Sequence, residues 1–229
     1  MKVIDSNINF NEGFTLLIDK KLDWTSFDVV RKIRNITKSK KVGHAGTLDP
    51  LASGLLIICT GKHTKKINEF LNLDKTYTGK FVIGSTTPSH DLETEIENTK
   101  SISGINKNEV DKIVNSFLGI QLQRPPKYSA VKIDGKRAYE LARKEQDFKI
   151  KEKEIKINEF KILNFSSPVI EFYISCSKGT YIRSLARDIG LRLGCGAYLS
   201  ELRRTKIGNF DVDDASTIEE FEFNLKAKY

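Results

Sequence analysis

Cysteine is scarce in this 229-residue chain, and the three present, Cys59, Cys176 and Cys195, are an odd number without C-x-x-C spacing. A disulfide framework is therefore neither supported nor needed, since a chain of this length buries a core without staples. Two of the thiols sit in apolar stretches, where a small buried thiol is commonplace, and a reducing cytoplasm is the expected compartment. Long apolar runs are missing as well. The longest purely aliphatic one, Leu55 to Ile58, is too short to cross a bilayer, and Met1 to Phe14 lacks the basic start and apolar centre of a secretory signal. Histidine is equally scarce: His44, His63 and His90 share no metal-ligand spacing with the cysteines, so no metal is expected. Gly54 and Gly61-Lys62 lie too far apart for a phosphate loop, and Gly194-Cys-Gly196 lacks the third glycine of a dinucleotide fingerprint.

Positive charge is abundant. Lysine and arginine number 38 against 30 acids, a formal net charge of +8, which favours a polyanionic partner such as nucleic acid. No linker rich in proline, glycine or serine divides the chain, so one domain over residues 1–229 is expected. Phe14 to Asp19 reads as a strand, and Thr25 or Ser26 as the cap of a helix with Val29, Val30, Ile33 and Ile36 on one side. Leu55 to Cys59 reads as a buried strand, and Tyr77, Phe81 and Ile83 lie on one face of a later one. Asn106 to Glu109 resembles a capping box ahead of a helix carrying Val110, Ile113, Val114, Phe117 and Leu118, ended by Gly119. After Pro125-Pro126, Tyr128 to Ile133 reads as extended, Asp134-Gly135 as a tight turn and Lys136 to Lys144 as a short basic helix. Ile170, Phe172, Ile174 and Cys176 alternate as a strand before a helix with Ile182, Leu185, Ile189 and Leu193 inward, and Thr217 to Glu220 caps a last helix. Alternating strands mixed with helices predict an α+β fold, a mixed sheet covered by helices.

The most informative stretch is Gly43 to Gly54, GHAGTLDPLASG, in which one acid, Asp49, stands among small and turn-forming residues. Gly43 and Gly46 permit close backbone approach, and Pro50 fixes the chain after the acid. A carboxylate so displayed suits a nucleophile, an acid/base or a ligand. The segment resembles the GHxGxLDPxAxG motif of the TruB family, the bacterial tRNA pseudouridine-55 synthases. The likeness extends in order through IDKKLDWTSFDVVRKIR (Ile18 to Arg34), DKTYTGKFVIG (Asp74 to Gly84), PPKYSAVKIDGKRAYELAR (Pro125 to Arg143) and CSKGTYIRSLARDIGLRLGCGAYLSELRRTKIG (Cys176 to Gly208).

The resemblance implies a pseudouridine synthase fold with a mainly antiparallel mixed sheet, and isomerisation of uridine to pseudouridine in the T-loop of tRNA, at position 55. It makes Asp49 the nucleophile and Arg183, in GTYIRS, the cation that keeps it ionised. Tyr77 in DKTY, Tyr181 and Leu202 become the pocket around the flipped base, and His44 stacks within the T-loop or on the flipped nucleotide. Asp91 matches a second acidic position near the substrate. Lys20, Arg137, Arg143, Arg203 and Arg204 are the expected phosphate contacts, and an insert at about 124–150 is the RNA-gripping element. No cofactor is implied, and a cytoplasmic monomer acting on the tRNA T-arm is expected. Two departures stand out: Lys20-Lys21-Leu22-Asp23 replaces the family's Lys-Pro-x-Gly turn, and about twenty residues follow Gly208 where many members continue into a PUA-type domain, so a short form is expected.

Two other readings compete. A tRNA-binding or tRNA-folding module would not need the acid, and an aspartate-dependent glycoside hydrolase would want a second carboxylate. The residues leave open whether the aspartate attacks C6 of uracil, attacks C1′ of ribose or acts through a glycal.

Overall fold

The computed structural model describes residues 8–144 and 146–227. The chain begins with β1 (Thr15–Lys20), α1 (Ser26–Thr37), β2 (Val42–Ala45), β3 (Ala52–Thr60), α2 (Ile67–Leu71) and β4 (Lys75–Ile83). It continues through α3 (Lys107–Asn115), β5 (Gly119–Gln123), a hairpin of β6 (Lys132–Ile133) and β7 (Lys136–Arg137), α4 (Ala138–Ala142) and β8 (Lys153–Ser166). Then come β9 (Val169–Cys176), α5 (Ile182–Arg192), β10 (Ala197–Ile207), β11 (Phe210–Asp211) and α6 (Ile218–Lys226). Nine of the described strands form one mixed sheet, the expected α+β class. Residues divide into two compact units, one running to Tyr77 and resuming at Leu202, the other spanning Thr78–Glu201.

In the first unit β3 is the central strand. It pairs antiparallel with β1 along one edge, from Thr15 opposite Cys59 to Lys20 opposite Gly54. Along the other it is shared by β2, with Ala45 opposite Ile57, and by β10, with Leu202, Arg203 and Arg204 parallel to Ala52, Ser53 and Gly54. Thr25 starts α1 with a full capping box: its side chain accepts from the Asp28 N–H, and the Asp28 carboxylate accepts from the Thr25 N–H. Val29, Val30 and Ile33 then face Ile18, Leu56 and Ile58, and α6 adds Ile218 and Phe221. Each fully buried aliphatic side chain of this kind contributes roughly 1.5–3 kcal/mol.

In the second unit β9 alternates as its sequence requires, with Ile170, Phe172, Ile174 and Cys176 buried. Phe172 stacks on Phe81 at 4.1 Å, and Phe160 meets both edge-on. Three local readings are corrected. Leu118 is exposed, because α3 ends at Asn115 in tightened turns and the chain leaves the helical path before it. Tyr128 to Ile133 is extended only at Lys132–Ile133, and the helix expected from Lys136 spans Ala138–Ala142 alone. The reason is that Lys136 and Arg137 pair back onto Lys132 and Ile133 across the Asp134-Gly135 turn, while the Ala138 and Tyr139 N–H groups donate to the Val131 and Ser129 carbonyls. Asp134 and Gly135 both take positive φ, as such a two-residue turn demands.

Candidate active site

Asp49 lies on the loop that leaves β2 after Ala45 and re-enters the sheet at Ala52. Gly46 opens the loop at φ +90°, a conformation costly for any residue with a side chain. Backbone and side-chain bonds then fix the loop from several directions. The Ser26 hydroxyl, buried at the start of α1, accepts from the Leu48 N–H at 2.9 Å and donates to the Leu48 carbonyl at 3.1 Å. The Ala52 N–H donates to the Asp49 carbonyl, and the Asp23 N–H to that of Pro50. Asp49 itself is half-buried. Of the two hydroxyls that the sequence allows as the cap, Thr25 takes that place and Ser26 holds the loop.

Two expected phosphate contacts prove to be interior cations. Lys20 is fully buried, and its ammonium donates to the carbonyls of Lys21, Trp24 and Pro50 at 2.9, 2.7 and 3.4 Å. Burial pulls its pKa down to about 8, while the Asp49 carboxylate pulls the other way. Arg204 is 1 % exposed and donates to the carbonyls of Leu55 at 2.7 Å, Gly46 at 3.1 Å and Thr47 at 3.5 Å. Neither can reach an external phosphate from these positions. Arg203, on the opposite face of β10, is half-exposed and forms a two-pronged pair with Asp19 at 3.0 and 2.7 Å. His44, on β2, has its pKa lowered by burial and by the nearby Arg204 guanidinium, against the opposing effect of a backbone hydrogen bond with Gly46. Tyr77 is buried on β4, and Leu202 is half-buried on β10 opposite Ala52.

The second unit gathers Asp91, Tyr181 and Arg183. Arg183, in the first turn of α5, is 4 % exposed; its Nη1 donates to the Tyr128 carbonyl at 2.9 Å and to that of Ser89 at 3.4 Å, and its Nε lies 3.4 Å from the Asp91 carboxylate. Asp91 accepts from the Ser89 hydroxyl at 2.5 Å and from the Glu93 N–H at 2.9 Å. At 4 % exposure it is a buried neighbour of Arg183, where the resemblance expects a second acidic position near the substrate. Tyr181 is positioned by a residue the sequence reading missed: Gln123, 3 % exposed, accepts from the Tyr181 N–H at 2.8 Å and donates to the Tyr181 carbonyl at 3.1 Å. A glutamine at the end of an apolar-polar alternation carries no signal of this role.

The insert presents charge. A cavity of about 900 Å³ is lined by Arg124, Lys127, Lys149 and Arg187 against one acid, Asp147, with His90 at its wall. Burial, with Arg187 and Arg183 nearby, lowers the His90 pKa to about 4. Arg137 and Arg143 are exposed; the first donates to the Ala130 carbonyl at 2.6 Å, the second pairs with Glu93 and lies over the Tyr139 ring.

The chain matches the family model described as TruB family pseudouridylate synthase, N-terminal domain, over residues 34–182, and that of the tRNA pseudouridylate synthase B C-terminal domain over residues 183–228. It is 50% identical over 222 residues to the tRNA pseudouridine synthase B of Flavobacterium johnsoniae, covering 94% of this chain and 97% of that protein. To that of Phocaeicola vulgatus it is 49% identical over 220 residues, covering 93% and 94%. Among solved structures, a chain of a Cbf5-Nop10-Gar1 complex superposes with a TM-score of 0.74 at 28% identity, covering 96% of this chain but 57% of that one. With both family models matched in sequence order and relatives of half-identical sequence covered almost end to end, this chain belongs to the TruB family of pseudouridine synthases.

Proposed function

We propose that the chain isomerises uridine to pseudouridine at position 55 in the T-loop of tRNA, with Asp49 as the nucleophilic carboxylate. The observation that carries this reading is the rigid presentation of Asp49: its loop is held on both sides of the acid by buried donors, in a chain of this family. The reaction breaks the N1–C1′ bond, turns the base, joins C5 to C1′ and moves one proton from C5 to N1. Atoms balance within the substrate, so the chemistry calls for neither oxidant nor nucleotide energy. An ionised carboxylate serves attack at C6, attack at C1′ and the glycal route alike.

Arg183 is proposed as the cation that sustains Asp49, a role suited to a buried guanidinium whose orientation is set by two carbonyls and the Asp91 carboxylate. Tyr77, Tyr181 and Leu202 are proposed to enclose the flipped base, with the Tyr77 hydroxyl near the departing C5 proton, and His44 to stack in the space vacated within the T-loop or on the flipped nucleotide. Arg137, Arg143 and the cationic cavity of the insert are proposed to meet the T-arm backbone.

The test is incubation with unmodified tRNA followed by nucleoside analysis. The expected product is a mass-neutral isomer of uridine at position 55. Release of free uracil would instead mark a hydrolase, and unchanged tRNA a binding module.

A further inference from the structure

Two ion pairs tie the insert to its surroundings, and they differ in kind. Arg124 pairs with Glu152 at 3.0 Å, one residue beyond the place where Gln123 on β5 lies opposite Lys153 on β8, so this pair closes the base from which the insert projects. Arg143 pairs with Glu93 at 2.9 Å and joins the far end of α4 to the loop after β4, 50 residues away in sequence. Among the described residues, no other cation between Arg124 and Lys149 forms an ion pair.

Glu93 is presented from a fixed base. Its N–H donates to the Asp91 carboxylate at 2.9 Å, the Ser89 N–H donates to the Thr94 hydroxyl at 3.0 Å, and Thr86 and Glu97 exchange both backbone bonds beneath them. Arg143 is open to solvent over 63% of its side chain, with its guanidinium over the Tyr139 ring. An ion pair so exposed adds little to stability, so a staple does not account for it. Its importance lies in what it occupies. A carboxylate and a phosphate offer a guanidinium the same kind of oxygen acceptor. A phosphate on Arg143 with Glu93 still in place would set two anions against one cation, and the two partners therefore exclude each other.

We propose that Glu93 is a phosphate surrogate, a catch that occupies Arg143 in the free protein, keeps α4 against the loop after β4, and is displaced when RNA backbone takes the guanidinium. The catch lowers RNA affinity by the free energy of the pair, for substrate and product alike. The proposal rests on the reading of the insert as the element that meets the T-arm.

The probe is a T-arm hairpin RNA. Its Kd is measured at one fixed ionic strength for wild type, Glu93→Gln, Glu95→Gln, Arg143→Gln and the variant carrying both Glu93→Gln and Arg143→Gln, each confirmed as folded by thermal melting. Glu95 is an exposed acid of the same loop, so its variant makes the same change in net charge without touching the pair. Glu93→Gln is expected to tighten binding about 2- to 5-fold, and Glu95→Gln by less than about 1.5-fold. Arg143→Gln should weaken binding, and in its background the gain from Glu93→Gln should vanish. Unchanged or weaker binding by folded Glu93→Gln overturns the proposal, as does an equal gain in Glu95→Gln or a gain that survives without Arg143. If Arg143→Gln binds like wild type, the reading of Arg143 as an RNA contact falls and the catch with it; if Arg143→Gln binds less tightly while Glu93→Gln is unchanged, the catch alone is wrong.

Discussion

The backbone N–H of Asp23 donates to the Pro50 carbonyl across 2.9 Å, tying the turn after β1 to the residue that follows Asp49. Asp23 occupies the place of glycine in the family's Lys-Pro-x-Gly turn, and it takes φ +63°, the left-handed conformation a glycine there would supply. Aspartate is among the side chains that tolerate this region best, so the turn here takes a left-handed residue without a glycine.

Asp23→Gly should therefore keep full activity and change stability by no more than about 1 kcal/mol, relief of the left-handed strain being offset by a more flexible unfolded chain. Asp23→Val, a β-branched residue in the same conformation, should destabilise by about 1–3 kcal/mol and slow turnover through Pro50. Urea midpoints and initial rates check both. A Val variant as stable and active as wild type would show that the turn does not hold the loop.

Much of this was legible in advance for a physical reason. The cap at Thr217 to Glu220, the alternation of Ile170 to Cys176 and the glycine-framed acid are local patterns, and local patterns survive in a linear text. What stayed hidden depends on distant partners. Lys20 and Arg204 read as surface phosphate contacts because long cations usually are, and only the pairing of three strands shows them buried around Gly54. β5 inverts its apparent pattern: Ile120 and Leu122 are exposed while Gln123 is buried, because Gln123 serves the backbone of Tyr181, far along the chain.

Asp49→Asn keeps the shape of the loop residue and removes its charge. Isomerisation should become undetectable, while the Kd for tRNA stays within about 3-fold of wild type and unfolding within about 1 kcal/mol. Substantial turnover by the purified variant would sink the assignment of Asp49.

His90 gives an acid-side prediction. Its folded-state pKa is about 4 against an ordinary 6.5, held down by burial and by Arg187 and Arg183. Between those values the unfolded chain takes up a proton that the folded one refuses, so stability is lost as pH falls from about 6.5 toward 4. The loss is at most about 3 kcal/mol, less where water screens the ring. His90→Asn tolerates the positive φ of this position and removes the titration, so its stability should fall less than that of wild type between about pH 7 and pH 4.5. Parallel urea-stability profiles for the two proteins would exclude His90 as the group responsible.

Gln123 offers the sharpest separation between positioning and contact. Its amide satisfies both the N–H and the C=O of Tyr181, the residue that begins α5 just ahead of Arg183, from a side chain that is 3 % exposed. Gln123→Ala takes that partner from the Tyr181 N–H in a protected place, while the Tyr181 carbonyl still accepts from the Ser184 and Leu185 N–H groups, at a cost of about 1–3 kcal/mol. Gln123→Glu keeps the acceptor for the Tyr181 N–H but sets a carboxylate oxygen against its carbonyl, so it should be worse than its size suggests. If Tyr181 helps enclose the flipped base, both variants should lose turnover beyond what their melting temperatures explain, and tRNA affinity, which draws on many phosphate contacts, should fall much less. The informative measurement is single-turnover rate at a temperature where each variant is fully folded. A full wild-type rate from folded Gln123→Ala would mean that the Tyr181 backbone holds its place unaided, and that Gln123 contributes to stability alone.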